Sequence, residues 1–520
     1  MRQLFALLTI FFTACTAPES VKSLKVAFHA FPSTVDPRKA SDFASSTLIC
    51  LIYEGLTRSL ADGSVEPALA ESFDVSADGT IYTFHLREAY WTDGAPITAY
   101  DFEASWKKIV DPQFPSPCAY LFYPIKNAEN IAKGKSPLSE LGVRVLNERL
   151  LEVELERPCP YFLSLTAFPS FLPVPKHLGE KDLDQEKLVV SSGPFVLKRV
   201  EPQATLFLKK NQTFWNAKKI HLEAIDIQVI SDEMTALHLF EEKKLDWLGG
   251  ALSPLSREAA PFLKKGSSLH FFPMAATTFC SFNVNRPLLK NRLFRQALSL
   301  AIPREEIVEH VTQMGEQSAT RLVPPALFGG VNKALYKTFD PTKAKALFEE
   351  AMQEENSVSP PSLTLIFRSN DSDKKIAQVL QRCWKETLGI EVRLRELDAK
   401  THRETLYLKN YDIALMYWIA QVHDPINILE RFKDSENLKN YPGWNEKSYA
   451  DYLDLALKER REDARKLLLE EAEKIIAEEM PIAPIYHWTN SYLCQPRLKN
   501  LEATPNGGLL FERAFLTSEP

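Results

Sequence analysis

Large apolar residues recur along the chain with two different periods. In Ile81-Tyr82-Thr83-Phe84-His85-Leu86, the residues Tyr82, Phe84 and Leu86 alternate with smaller or polar side chains, the spacing of a strand with one buried face. Ala77-Asp78-Gly79-Thr80 is a turn signal between that run and Phe73-Asp74-Val75, so the pair predicts a β-hairpin with its aromatic face buried. The period then lengthens. Thr98 stands three residues before Asp101, a capping-box-like start, and Phe102, Trp106, Ile109 and Val110 share one helical face until Asp111-Pro112 stops the run. The pattern here predicts a compact β-β-α unit.

Further along, the order of elements becomes α/β. Leu363 to Phe367 is a short apolar strand. A helix from about Asp373 to Leu388 follows, carrying Ile376, Val379, Leu380 and Cys383 on one face, with Gly389 as its stop. Ile390, Val392 and Leu394 then alternate with charged residues, so strand, helix and strand predict a βαβ unit and a parallel sheet. Asp340-Pro341 opens another helix as N-cap and first residue, with Ala344, Leu347, Phe348 and Ala351 inward. From Asp463 to about Glu479 an amphipathic helix carries Leu467, Leu468 and Ile475, and its many charges read as a solvated face. No internal repeat or low-complexity tract interrupts these elements.

At 520 residues the chain exceeds what one core usually supports, so two or three packed lobes are expected. A composition of 45% hydrophobic and 25% charged residues is that of a soluble globular protein. The net charge of −6 argues against a nucleic-acid partner, which calls for a basic excess. The 34 Pro outnumber the 18 Gly, pointing to stiff, ordered loops. At the N-terminus, Met1-Arg2 leads into an apolar stretch from Leu4 to Phe12, too short to span a bilayer and suited to a signal-peptide core. Thr13-Ala14-Cys15 then resembles a bacterial lipoprotein cleavage site, with Phe12 in place of the usual Leu, so residues 1–15 read as signal peptide and lipobox with Cys15 lipidated. An ordinary secretory peptide cut near Ala14 or Ala17 is the alternative; either way the chain is exported. Cys50, Cys118, Cys159, Cys280, Cys383 and Cys494 form no CxxC motif. Most of them are expected to be isolated buried thiols.

Local catalytic signatures are absent. The ten His are never closer than 17 positions, so there is no HExxH helix, and there is no GxSxG elbow, phosphate loop or GxGxxG fingerprint. Gly249-Gly250 reads as a turn. His423-Asp424 offers an acid–base couple or two metal ligands, with a turn and a satisfied imidazole as the alternative. No cofactor or metal is expected.

One stretch is denser in signal than the rest. Pro67 to Ser72, Asp78-Gly79, Tyr82 to Arg87, Trp91-Thr92-Asp93-Gly94, Thr98 to Phe102 and Ser105-Trp106 through Asp111-Pro112 resemble the signature block of the family-5 extracellular solute-binding proteins, which include oligopeptide-, dipeptide- and nickel-binding members. Other blocks follow in the family's order: Val35-Asp36-Pro37, Ser192-Gly193-Pro194-Phe195, Asn211 to Trp215, Arg295 to Ile302 with Arg304 and Ile307 (Pro303 replacing an Asp), Tyr411-Asp412-Ile413 with Trp418 and Asp424-Pro425, and Pro484 to Tyr492. The likeness covers nearly the whole mature chain.

The resemblance implies an α/β fold of the two-lobed periplasmic-binding-protein type II-like kind, with an extra third domain and lobes that close on a ligand cleft. On that pattern lobe I combines 22–53, 188–275 and 492–520, domain II is 54–187, and lobe III is 276–491. It implies a non-enzymatic, monomeric binding lipoprotein, anchored on the periplasmic or cell-surface face of a bacterial membrane. Such a protein hands oligopeptides or peptide-like solutes to the permease subunits of an ABC importer for transmembrane transport. An exported hydrolase with a dispersed active site, or a sensor or adhesion protein on the same fold, are the alternatives. In peptide-binding members an extended ligand lies between two strands, and the matching strand here runs through Leu415, Met416, Tyr417, Trp418, Ile419, Ala420 and Gln421. Ser41 and Phe43 match positions on the opposite side, and Tyr120 is placed to reach the cleft. Gln421 stands where oligopeptide binders carry an Asp for the ligand's amino group; it accepts a hydrogen bond but cannot neutralise an ammonium. Asp424 is the alternative negative charge. Leu415 and Leu406 replace arginines that face a ligand carboxylate, with Arg403 or Arg395 as substitutes.

Overall fold

The computed structural model describes residues 22–179, 183–185, 189–264, 269–330, 333–357 and 361–517. The proposed signal peptide and Cys15 lie outside the described residues. In chain order the strands that organise the molecule are β1 (Ser23–Phe28), β2 (Ala70–Val75), β3 (Ile81–Leu86), β4 (Val143–Asn147), β5 (Leu150–Glu154), β6 (Phe195–Glu201), β7 (Thr205–Lys210), β8 (Ala224–Val229), β9 (Trp247–Gly249), β10 (Leu269–Phe282), β11 (Ser362–Arg368), β12 (Glu391–Leu397), β13 (Ile413–Ile419) and β14 (Ile482–Cys494). The helices used below are α1 (Phe43–Ile52), α2 (Ala99–Val110), α3 (Pro341–Glu354), α4 (Asp371–Leu388), α5 (Ala399–Tyr407) and α6 (Glu462–Glu479).

One mixed sheet runs through the molecule in the order β12-β11-β13-β10-β14-β9-β1-β8-β7-β6. Strand β10 pairs antiparallel with β13 on one side and with β14 on the other, while β14 also pairs with β9. These two strands, 14 and 13 residues long, therefore belong to both halves of the sheet. Their ladder breaks register twice, between Pro273 and Thr277 and again between Thr278 and Phe279. Bulges of this kind bend a strand and free it from exact pairing. At the first shift His487 Nδ1 lies 2.9 Å from Thr277 Oγ1, whose own proton goes to the Leu322 carbonyl at 2.8 Å. The imidazole therefore donates from Nδ1, and burial pushes its pKa down to about 3.

The apolar core divides with the sheet. One cluster gathers Leu24, Phe28, Trp106, Phe122, Ile225 and Phe511 from the two ends of the chain, and a second gathers Phe279, Phe294, Leu365, Trp384, Leu415 and Ile485 from its later part. The hairpin expected around residues 73–86 is present as β2 and β3, with Phe73 opposite Phe84, inside a separate four-stranded sheet β2-β3-β5-β4. The aromatic inner face is buried as the alternation requires. Thr98 and Asp101 close a capping box at the start of α2. Strands β11 and β12 are parallel across α4, giving the βαβ unit, and Gly389 ends α4 at φ 68°, a conformation other residues adopt only with strain. Asp340 caps α3 through Lys343 N at 2.9 Å.

Two expectations need correction in α6. Leu467 is 62% exposed, and the buried stripe is instead Leu469, Ala472, Ile476 and Ala477. The charges of this helix are also not all solvated. Glu473 is fully buried against Arg321, with Val323 N donating to its Oε1 at 2.8 Å, and Arg321 lies 4.3 Å over the Phe328 ring. An amphipathic count treats every carboxylate as outward-facing, whereas a buried one is tolerated when paired and hydrogen-bonded on both oxygens. Cys118, Cys159, Cys280 and Cys383 are buried free thiols, Cys50 is exposed and Cys494 is half-buried.

Glu473→Ala leaves the Arg321 guanidinium buried without its counter-ion. The variant is expected to lose about 3–5 kcal/mol of stability, and Glu473→Gln clearly less, read as the drop in unfolding midpoint on chemical denaturation.

Candidate functional site

Between the two halves of the sheet lies a cavity of about 600 Å³, within the range of small-solute sites. Its first wall is built by the segment entering α1, by residues 53–59 just after it, and by the loop from Thr504 to Glu512. Asp42 caps α1, accepting from Ser45 N at 2.8 Å and Ser45 Oγ at 2.8 Å, which fixes Ser41 and Phe43 at the rim. Glu54 is buried, paired with Arg58 and accepting from Trp215 Nε1 at 3.2 Å. Glu512 also faces the cavity, and burial pushes its carboxyl above the usual range while Arg58 pulls it back.

The second wall comes from the end of β11, from α5, and from β13 with the chain that follows it. Strand β13 pairs with β10 along its whole length but with β11 only at Ile413 and Ala414. From Leu415 to Ile419 one backbone edge therefore has no strand partner among the described residues, and it runs along the cavity. The side chains here are aromatic and held. Tyr417 stacks on Trp488 at 5.2 Å and carries Arg368 over its ring at 4.1 Å. Arg431 lies 3.6 Å over Trp418. Arg368 is paired with Asp373 at 3.0 Å.

The lining residues of the first wall include Asp42, Glu54 and Glu512 against one cation, Arg58; those of the second include Arg368, Arg403 and Arg431 and no carboxylate. The walls thus face each other with opposite sign. His402, also on the second wall, has its pKa pushed down to about 4, first by burial and then by Arg368. Its Nε2, the Trp418 Nε1 and the Arg431 Nε are buried without hydrogen-bond partners. Polar atoms left this way in a folded interior call for an explanation.

The structure brings Ser41, Phe43, Tyr417, Trp418, Ile419, Ala420 and Gln421 together around this cavity. Tyr120 reaches it indirectly: Gln421 Nε2 donates to the Tyr120 hydroxyl. Asp424 requires correction. It is buried away from the cavity, and Arg465 grips its carboxylate with two hydrogen bonds of 2.7 and 2.9 Å. It is therefore not available as the negative charge that Gln421 lacks. The same ion pair removes it as a partner for His423, whose ring packs so closely on Gly63 that a Cβ there would lie 2.2 Å from it. Leu406 and Leu415 line the cavity with Arg403, whereas Arg395 is exposed on β12 away from it. The sequence reading missed Arg368, His402, Arg431 and Tyr441 on one wall and Glu54, Arg58 and Glu512 on the other. Arg431 alone left a trace, as a charge inside the apolar run Ile426-Asn427-Ile428-Leu429-Glu430-Arg431-Phe432.

Comparisons with known proteins bear on the family and the fold. The family model described as bacterial extracellular solute-binding proteins, family 5 Middle, matches residues 64–440. The oligopeptide-binding protein OppA of Bacillus subtilis (strain 168) is 34% identical over 503 residues, spanning 95% of this chain and 92% of its own. Among solved structures, the Escherichia coli murein tripeptide binding protein MppA superposes with a TM-score of 0.79 at 28% identity, over 96% of this chain and 99% of that one. A periplasmic oligopeptide-binding protein of Borrelia burgdorferi, OppAIV, gives a TM-score of 0.77 at 29% identity over 95% and 100%.

The depressed pKa of His402 has a measurable sign. Its unfolded-state value is about 6.5, so the neutral buried ring contributes stability that is present above that pH and lost as pH falls toward about 4. The stability advantage of the wild type over His402→Asn is therefore expected to be larger at neutral pH than in mild acid, measured by paired thermal melts.

Proposed function

Because the chain belongs to the bacterial extracellular solute-binding proteins of family 5, we propose that it captures oligopeptides or peptide-like solutes outside the membrane and delivers them to the permease of an ABC importer. The observation that carries this reading is the unpaired backbone edge of β13 from Leu415 to Ile419, lying along a cavity of about 600 Å³. An extended peptide adds to such an edge through main-chain hydrogen bonds, which give affinity without demanding a particular sequence. Tyr417, Trp418, Ile419 and Ala420 supply that edge and its aromatic surface. Ser41 and Phe43 meet the solute from the facing wall, and Tyr120 and Gln421 close one corner.

The rest of the proposal follows the family pattern. The protein acts by binding and release, not by turnover. It is a monomer, tethered through a lipid on Cys15, with lobe I (22–53, 188–275, 492–520), domain II (54–187) and lobe III (276–491) closing on the solute. Walls of opposite charge support closure, because bringing them together over a solute replaces water between attracting groups. No helix among the described residues is long and apolar enough to cross a membrane.

The test is to unfold the purified mature chain, collect the small molecules released, and identify them by mass spectrometry. The refolded protein is then offered a casein hydrolysate. Mixed short peptides are expected in both experiments. A refolded protein that retains no peptide, beside an original preparation carrying only non-peptide solute, overturns the reading. Trp418→Ala is expected to weaken capture of the recovered peptides roughly tenfold, measured by calorimetric titration.

A further inference from the structure

Near Gln421 the cavity lining carries one cation, Arg431, with a second, Lys439, close to it over the Tyr120 and Trp418 rings, and no carboxylate among the described residues pairs with either. Arg431 is 6% exposed and opens onto the cavity. Its guanidinium rests 3.6 Å over Trp418 and 5.4 Å over Tyr441, its Nε has no hydrogen-bond partner, and no carboxylate pairs with it among the described residues. Lys439 stands beside it, Nζ 3.8 Å over Tyr120 and 5.8 Å over Trp418, likewise without a carboxylate partner among the described residues. Burial, and then the Arg431 charge, push its pKa down to about 8. Ring faces soften the burial of a cation, but they do not replace a counter-ion.

The acid nearest to Gln421 in the sequence is engaged elsewhere. Asp424 is held by Arg465, and Gln421, the residue in the place of an expected carboxylate, has its amide nitrogen on the Tyr120 hydroxyl. An ammonium brought to this corner meets two positive charges and no negative one. An anion meets a planar guanidinium with an unused donor, which suits a carboxylate's two oxygens.

We propose that Arg431 and Lys439 form the subsite that receives a carboxylate of the captured solute, so that the solute's anionic end lies in the Gln421 corner. This rests on the cavity being the peptide site, and it sets the direction in which a zwitterionic solute lies. Its cationic end faces the wall of Glu54 and Glu512. Arg431 and Lys439 act by binding; no bond is made or broken.

The experiment compares capture of three forms of a casein hydrolysate, untreated, methyl-esterified on its carboxyls and acetylated on its amines, by wild type and Arg431→Met, with peptides counted by mass spectrometry. The wild type is expected to lose roughly thirtyfold or more of its capture on esterification and much less on acetylation. Arg431→Met is expected to take ester and acid alike, and Arg431→Lys to keep part of the preference. Peptide amides with and without an aspartyl side chain separate a terminal carboxylate from a side-chain one. Equal capture of acid and ester by the wild type, or an unchanged preference in Arg431→Met with its melting curve intact, overturns the subsite. An acetate arm keeps this apart from the peptide reading. Sodium acetate is expected to raise the melting temperature of wild type more than that of Arg431→Met even if no peptide binds, and an equal rise in both overturns the subsite on its own.

Discussion

The antiparallel ladder between Leu269–Phe282 and Ile482–Cys494 is the constraint on which the rest of the molecule depends. Among the described residues its two strands are the ones that serve both halves of the main sheet, joined to β9 on one side and to β13 on the other. A ladder of uniform register would weld the two halves into one flat sheet. Here the register slips between Pro273 and Thr277, and Ala275, one of the three residues in that interval, uses its freed groups in two directions. Its N–H donates to the Pro505 carbonyl at 2.7 Å, and its carbonyl accepts from Ala420 N at 2.8 Å. The bulge is thus tied to the loop of the first wall and to the chain just after β13 on the second. Proline at 273 fits this place, since a strand loses no ladder bond where the ladder is already broken.

Electrostatics is distributed by the same division. Several buried charges are neutralised within the fold: Glu473 with Arg321, Asp424 with Arg465, Asp246 with Arg497. Beside the cavity three are not paired in this way. Arg431 and Lys439 are left to aromatic rings, and Glu512 is left to a distant Arg58. Charges left open beside a cavity are electrostatic interaction still available to a solute. The burial that makes these charges unfavourable in the empty cavity also makes them strong toward a complementary solute.

Much of the architecture was legible in the sequence because its signals are local. The hairpin β2–β3, the capped start of α2, Gly389 at the end of α4 and the parallel pair β11–β12 each follow from spacing within some thirty residues. The long-range ladder was not legible, because neither β10 nor β14 announces its two partners in its own pattern. The helix α6 marks the same boundary: periodicity located it, but its buried stripe is offset by one position from Leu468 and includes Glu473, whose partner Arg321 is 152 residues away. At the site, the resemblance led to the strand from Tyr417 to Gln421 and to Ser41 and Phe43. It did not lead to Arg431, Glu54 or Glu512, since a charge that binds and a charge on the surface look alike until burial is known.

Asp424 and Gln421 show how far position alone carries an argument about charge. Both lie within five residues of the strand that lines the cavity, and one of them is an acid. Proximity in sequence suggested that the acid takes over where the amide falls short. The fold instead turns Asp424 inward onto Arg465 and turns Gln421 onto Tyr120, so the corner contains no negative charge. Two cations, Arg431 and Lys439, then stand beside an amide at the position where the resemblance leads one to expect an acid. Losing the acid alone would only weaken a grip on an ammonium. Losing it while Arg431 and Lys439 remain uncompensated reverses the sign of the corner, and a reversed sign discriminates through repulsion as well as attraction. The physical content of the site therefore lies less in the single replacement at Gln421 than in the charges around it that no longer have an acid to answer.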